Sequence, residues 1–415
     1  PIEDLELSPL GVFSRIPRDV KGLGYLASDG SFEARWSVLV WQPSEIITSD
    51  SPDFQKKLRA QLLQRRKEIK TELPFIGGAI ASLDYEFGYE LLGLSPIKKD
   101  RPLIIFSWYD HALIFDHHQH RWYEVGKSSI DWKNWMNHEP SLHTEQISLK
   151  AQWNKEQYEK AFRKVHENIL RGEIYQACLS MPFHAPKVEK PRDLFYELMM
   201  RNPAPMGLYL EEPHRTILSL SPERFLLLDG TRLETRPIKG TRAKGYLPEE
   251  QLQQQLELLS DKKEAAELSM ITDLLRNDMG KVCTTGSVKV LEHQGLQECP
   301  KVWHTYSHIV GEVRDRLDPW DIIEALFPGG SISGCPKRRA VEILQEVEGY
   351  KRGIYTGCLG LFSDHGRMDL SIAIRTLEMD EKGIRTGFGG GIVADSQVQK
   401  EYEECFLKAK SFSLS

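Results

Sequence analysis

Nowhere in these 415 residues do about 20 apolar residues follow one another, so a helical membrane span is excluded. The first thirty residues mix Asp, Glu and Arg with Gly and Pro and hold no apolar core of a secretory leader, which makes a cytoplasmic location the expectation. Cysteine is scarce. The six (Cys178, Cys283, Cys299, Cys335, Cys358, Cys405) stand far apart, with no C-x-x-C pair and no metal-knuckle spacing, and they read as reduced thiols. Positive charge is not in excess either: the formal net charge is −6 with both signs spread along the chain, which gives no footprint for nucleic acid and favours a small-molecule ligand. No fixed-period repeat occurs. What remains is ordinary globular composition, 40% hydrophobic and 27% charged, long enough for a large domain with a smaller one or for a single large two-layer α/β body.

Residues 1–145 read as a β-rich N-terminal region. Short apolar runs at 36–41, 75–81, 103–108 and 112–115 are separated by Gly, Pro and Asp, and a helix-compatible charged segment runs from Asp53 to about Lys70. The cluster Asp116-His117-His118-Gln119-His120 falls where two strand-like runs turn back, so a solvated hairpin turn fits it better than a metal site. The polar stretch from Lys127 to about Lys150 reads as a linker. The second region, 150–415, opens with a capping box, Asn154 with Gln157, ahead of a stripe of Tyr158, Ala161, Phe162, Val165 and Ile169 that ends at Gly172. Strands and helices then alternate. Two later helices are predicted, from Asp261 to about Val282 with Leu268, Ile271, Leu274 and Leu275 buried, and from about Ser396 to Phe412.

Each of these two helices carries carboxylates three residues apart, Glu264 with Glu267 and Glu401 with Glu404, and such pairs share one helix face. Either pair alone also fits a solvated surface. If the helices face each other across a cleft, however, four hard oxygen ligands converge, a set suited to Mg²⁺ with retained waters and an anionic substrate. The run from Thr386 to Val393 with Gly389, Gly390 and Gly391 offers backbone N–H groups to a carboxylate, or else is a turn or bulge. The segment from Pro328 to Lys337 is only loosely like a phosphate loop, because Cys335 and Pro336 stand where Lys and Ser/Thr belong; anion binding at the helix that follows stays open. In Arg236-Pro237-Ile238-Lys239-Gly240-Thr241-Arg242, a lysine between two arginines has its pKa lowered by like charge, and an uncharged amine is a nucleophile. A basic surface loop is the alternative. Cys358, within Gly-Cys-Leu-Gly, lacks the downstream His-x-Glu of a glutaminase and reads as a buried strand residue.

In order and spacing, GEIYQACLS (172–180), SPERF (221–225), RPIKGTR (236–242), AELSMITDLLRNDMGKV (266–282), PGGSISGCPKRRA (328–340), YTGCLGLF (355–362), DLSIAIRT (369–376), GFGGGIVADS (387–396) and EYEE (401–404) resemble the chorismate-utilising enzymes. The resemblance covers roughly residues 150–415. It implies an α/β fold of two large packed β-sheets with helices outside. Gln176 stands where the water-activating lysine of isochorismate and salicylate synthases would be, which is similar to the ammonia-using members. Lys239 replaces the alanine usual in anthranilate synthases, as in aminodeoxychorismate-forming members, where amination at C4 with retention needs a nucleophile to add at C2 first.

By the same resemblance, Glu264, Glu267, Glu401 and Glu404 hold Mg²⁺, Lys239 attacks the ring and Glu223 is general acid to the departing C4 hydroxyl. Glu223 must then keep its proton at working pH. Gly240, Thr241, Tyr355, Arg375 and the backbone of Gly389 to Gly391 hold the substrate's carboxylates and enolpyruvyl arm. His304 and Ser331 match further active-site positions, and Lys400 adds positive charge. With no glutaminase sequence present, a separate glutamine amidotransferase is the implied source of ammonia. Related enzymes also bind tryptophan; Tyr25-Leu26-Ala27-Ser28 and Pro205-Met206-Gly207 match that pocket weakly, and tryptophan binding stays open. A non-catalytic binding subunit is a remaining alternative, though it has no need of a nucleophile beside an acid.

Overall fold

The structure, a computed structural model, describes residues 1–2, 5–31, 34–95, 100–140, 146–245, 247–299 and 301–412. Two antiparallel sheets, of eleven and ten strands among the described residues, make up the body. The first runs in the order Gly334–Cys335, Gln176–Ala185, Gly383–Ile392, Thr376–Asp380, Arg215–Ser221, Met206–Glu212, Gly24–Ala27, Trp36–Val40, Ala112–Asp116, Arg121–Val125, with Lys150–Ala151 added beside Gln176–Ala185. The second runs Ile238–Ala243, Val302–Glu312, Arg232–Thr235, Arg224–Asp229, Met368–Ile372, Cys358–Ser363, Gly78–Leu83, Ile104–Tyr109, Glu45–Thr48, with Lys289–Glu298 added beside Val302–Glu312. Strands from before residue 145 and after residue 150 lie side by side in both sheets, so the two regions named from chain order share their hydrogen-bonded ladders.

The sheets pack face to face. Val38, Val40, Ile114, Leu208, Leu210 and Ile217 of the first meet Ile80, Leu359 and Leu361 of the second in a common core. Leu39, Leu113, Phe115 and Trp122 leave the first sheet on its other side and pack under outer helices. Strands buried on both faces read as continuous apolar runs, which is why 36–41 and 103–108 were legible without alternation. Each buried Val, Leu or Ile adds about 1.5–3 kcal/mol of burial free energy. Outer helices Lys155–Leu170, Lys337–Glu348 and Val398–Ala409 cover the first sheet, and Phe54–Gln64, Lys262–Gly280 and Pro319–Leu326 cover the second. Among the described residues no helix is long and apolar enough to cross a membrane.

Local signals set several boundaries. Asn154 accepts from the Gln157 N–H at 2.9 Å and Gln157 returns the bond to the Asn154 N–H, capping the helix that the stripe predicted. The segment predicted as a helix to Lys70 stops at Gln64, because Arg65 and Lys67 turn to pair with the buried Asp364 and the Lys67 N–H bonds its carbonyl. The histidine cluster is a hairpin turn, as its sequence suggested, and Cys358 is a fully buried strand residue. All six cysteines are free thiols.

Two expectations need correction. The polar stretch 127–150 is not a solvated linker: Trp132 and Trp135 lie on a short 3₁₀ turn at 4% and 2% exposure, with Trp135 against Trp41 at 4.8 Å, so two large rings outweigh many polar neighbours. Residues 141–145 of that stretch lie outside the described residues. The glycine run is neither turn nor bulge but part of strand Gly383–Ile392, in regular register with Gln176–Ala185 from Gly389 opposite Ser180 to Gly391 opposite Cys178. Glycine is needed at position 389 because a Cβ would stand 2.0 Å from the Leu179 carbonyl oxygen.

Candidate active site

The cleft opens where strand Ile238–Ala243, helix Lys262–Gly280, the loop around Ser331 and strand Gly383–Ile392 come together. Its pivot is a bulge. Lys239 pairs with Thr305 and Thr241 with His304, leaving Gly240 as the extra residue with φ +74°. A bulge bends its strand and re-aims the neighbouring side chain. At Gly240 a Cβ would also come within 2.8 Å of Leu258, so both conformation and space demand glycine.

Lys239 Nζ donates to the Ser331 carbonyl at 3.2 Å, and Ser331 Oγ donates to Glu223 Oε1 at 2.6 Å. Lys239, on strand Ile238–Ala243, and Glu223, in the link between strands Arg215–Ser221 and Arg224–Asp229, thus meet on one serine. Glu223 is 5% exposed, and burial pushes its carboxyl up to about 7 against the opposing pull of Ser331, Lys239 and the Ile238 backbone. The Ser331 loop is held from behind. Buried Arg352 donates to the carbonyls of Cys178 at 2.6 Å and Ile332 at 3.2 Å while paired with Glu348, and Lys337 pairs with Asp278 at 2.6 Å. The arginines that flank Lys239 in sequence do not crowd it as expected. Arg242 turns to Asp261 at 2.8 Å and Glu264 at 4.0 Å, and the charges that act between Lys239 and its surroundings are those of Glu223 and Glu267.

The two acidic helices do face each other. Glu264 feels the charge of Glu404, and Glu267 that of Glu401. Burial pushes Glu267 up to about 7 and also raises Glu264. A Cβ on Gly390 would stand 3.2 Å from Glu401 Oε2, and one on Gly391 would stand 2.2 Å from Gln176 Nε2, so these glycines give room to that carboxylate and that amide. Among the described residues no three Asp, Glu, His or Cys side chains converge tightly enough to clasp an ion unaided. Between Glu267 and Glu401 lies an ammonium instead, that of Lys263, at 3.9 and 3.4 Å. An all-oxygen donor set that already draws a cation fits Mg²⁺, which keeps waters and takes only one or two carboxylates directly.

His304 is 2% exposed; its Nδ1 lies 2.9 Å from Thr241 Oγ1 and 3.2 Å from the Gly240 carbonyl, and its Nε2 is buried without a partner. Burial, with Arg375 close by, pushes its pKa down to about 4, so the ring is neutral. Arg375 sits at φ 49° and forms no hydrogen bond or ion pair through its guanidinium among the described residues, which leaves that group for an anion. Tyr355 packs under Gly387, whose Cβ would be 2.4 Å from the ring. Lys400 does not join the cluster: it lies exposed on the C-terminal helix beside Gln399, Glu403 and Leu407. Lys263 was not singled out from the sequence, although its place four residues before Glu267 was a usable signal.

A separate cavity of 390 Å³ lies between the sheets, lined by Leu26, Ala27, Trp36, Pro205, Met206 and Gly207 among others, and none of its lining residues belongs to the Glu223–Lys239 cluster.

A model of the chorismate binding enzyme family matches residues 25–413. Aminodeoxychorismate synthase component 1 of Escherichia coli (strain K12) is 38% identical over 376 residues, which cover 88% of this chain and 83% of that protein. Anthranilate synthase component 1 of Saccharolobus solfataricus is 34% identical over 414 residues, 97% of this chain and 96% of that protein. Among solved structures, anthranilate synthase component I from Streptococcus pneumoniae has a TM-score of 0.81 at 28% identity and covers 99% of this chain and 98% of that one. Relatives of both kinds stand at similar identity, so likeness does not choose between the two reactions.

Proposed function

The chain belongs to the chorismate binding enzymes, and on that footing we propose that it aminates chorismate at C4 to give 4-amino-4-deoxychorismate, with ammonia supplied by a separate glutamine amidotransferase. The observation that carries this reading is the meeting of Lys239 and Glu223 on Ser331. Anthranilate formation needs no amine there. In the proposed path, Lys239 Nζ adds to C2, the diene electron pairs shift towards C4 and the C4–O bond breaks as Glu223 gives its proton to the hydroxyl, which leaves as water. Ammonia then adds at C4, the pairs shift back and the C2–Nζ bond breaks; a proton from the incoming nitrogen restores the Glu223 acid. Arg375 and Thr241 hold substrate carboxylate oxygens, and neutral His304 offers its unpartnered Nε2 to the substrate. Glu264, Glu267, Glu401 and Glu404 would hold Mg²⁺, directly or through water. When bound, Mg²⁺ supplies charge neutralisation at the ring carboxylate and draws electron density from the ring.

Purified protein incubated with chorismate, Mg²⁺ and ammonium, with a lyase added to convert aminodeoxychorismate to p-aminobenzoate, tests this directly. p-Aminobenzoate is the expected product; anthranilate would overturn the reading in favour of anthranilate synthase. For the cavity between the sheets, placement of Leu26, Ala27 and Pro205 to Gly207 in its wall supports an aromatic amino acid, tryptophan, as occupant. Calorimetric titration with L-tryptophan checks this, and absence of saturable heat would dismiss it.

A further inference from the structure

Lys263 lies in the first turn of helix Lys262–Gly280, where the helix dipole disfavours a cation, and it precedes Glu267 in the less stabilising order for an i, i+4 pair. Its own helix therefore does not account for it. Its second partner does: Nζ is 3.4 Å from Glu401 Oε1 on the facing helix Val398–Ala409 as well as 3.9 Å from Glu267 Oε1. Both carboxylates are nearly closed to solvent, at 8% and 5% exposure, whereas the lysine side chain is 46% exposed. The other two acids have cations of their own, Arg242 at 4.0 Å from Glu264 and Lys408 at 2.7 Å from Glu404. Among the described residues Lys263 alone reaches across, and its ammonium lies between Glu267 and Glu401, where an ion shared by the two would sit.

We propose that Lys263 is a built-in counter-ion that occupies the metal position, draws the two acidic helices together when no divalent ion is bound, and swings out along its exposed stem when one enters. This rests on the Mg²⁺ reading of Glu267 and Glu401. Metal and ammonium then compete for the same two carboxylates. Removing the lysine charge tightens metal binding and weakens the metal-free cleft.

The test uses Mg²⁺ alone, without chorismate, on wild type, Lys263→Met and Lys263→Arg, by titration calorimetry and by melting in chelator and in Mg²⁺. Lys263→Met should bind Mg²⁺ on the order of tenfold more tightly, since a like charge about 4 Å away has been removed. It should melt below wild type in chelator and lose that deficit in Mg²⁺; Lys263→Arg, which keeps the charge, should bind like wild type. Equal Mg²⁺ affinity in wild type and Lys263→Met overturns this inference and leaves the metal site standing, as does tightening by Lys263→Arg to the same extent. Absence of Mg²⁺ binding in every variant overturns the metal assignment itself, and the counter-ion role with it.

Discussion

Two of the buried charge clusters among the described residues are built on opposite plans. In the first, Arg215 pairs with Asp84 at 2.8 Å, Glu212 at 2.6 Å and Glu378 at 3.5 Å, Arg101 reaches Asp84 and Glu378, and Arg385 adds a bond to Glu378 at 2.7 Å. Asp84 follows a strand of the second sheet and the others mostly ride on the first, so this lattice stitches the sheets together. Every carboxylate there has a guanidinium. In the second, the candidate site, Glu223 and Glu267 are buried with lysines as the cations that act on them among the described residues, and burial lifts both towards neutrality. A lattice whose charges are satisfied holds shape; a cluster whose acids keep their protons can give them away. A raised carboxyl alone does not mark the site, however. Glu86 beside the lattice is also pushed up to about 7 by burial and by Asp84, yet its oxygens are taken by the Gly353 N–H and it faces no amine.

Substitutions in the two clusters should therefore fail in different ways. Glu223→Gln keeps an acceptor for Ser331 but has no proton to give, and should lower turnover roughly 10²–10⁴-fold with little loss of stability. In the wild type, kcat/KM should fall as pH rises above about 7, where Glu223 loses its proton. A loss below tenfold, or no fall at high pH, would remove Glu223 from the acid role. Arg215→Met does the reverse: it leaves Asp84, Glu212 and Glu378 without their shared cation and should cost about 3–5 kcal/mol in chemical denaturation.

Reading the chain ahead of its structure succeeded where the cause lies close by in sequence. The Asn154 capping box and the paired glutamates at 264/267 and 401/404 are settled by neighbours within a helical turn. It failed where distant partners decide. Ser331 and Glu223, 108 residues apart, were both named through the resemblance, but their hydrogen bond was not. Trp132 and Trp135 were lost in a polar stretch because composition averages over residues that packing treats singly. The Arg236 and Arg242 flank promised a cationic surround for Lys239, but Arg242 is spent on Asp261 and Glu264. The motifs matched to chorismate-utilising enzymes carried the fold; the pairing state of each charge is set by the folded chain.

Stability against pH sharpens the comparison further. Glu86, Glu223 and Glu267 all have folded-state values raised from 4.5 to about 7, so the folded chain binds more protons than the unfolded one across that interval. Their stabilising contribution is complete below about pH 4.5 and is lost as pH rises through about 7. Glu86→Gln keeps an acceptor for Gly353 without the charge. It should gain of order 1–2 kcal/mol over wild type near pH 8 and nothing near pH 4.5, by denaturation at each pH. Equal stability of the two proteins at both pH values would show that Glu86 is solvated in the native state.

The smallest effect belongs to a third group of titratable side chains, which lies open to solvent. His118 and His120 are exposed on the hairpin between Ala112–Asp116 and Arg121–Val125, and that turn is held by Asp116, which accepts the N–H groups of His118 at 2.9 Å and Gln119 at 3.2 Å and pairs with Arg35 at 2.6 Å. His120 occupies φ 50°, a conformation glycine adopts freely. His120→Gly trades that relief against the greater backbone freedom of an unfolded glycine, and the two nearly cancel. Stability should change by no more than about 0.5 kcal/mol and turnover not at all. A larger loss would mean that the ring itself carries the turn, and that crowding histidines at this corner is structural after all.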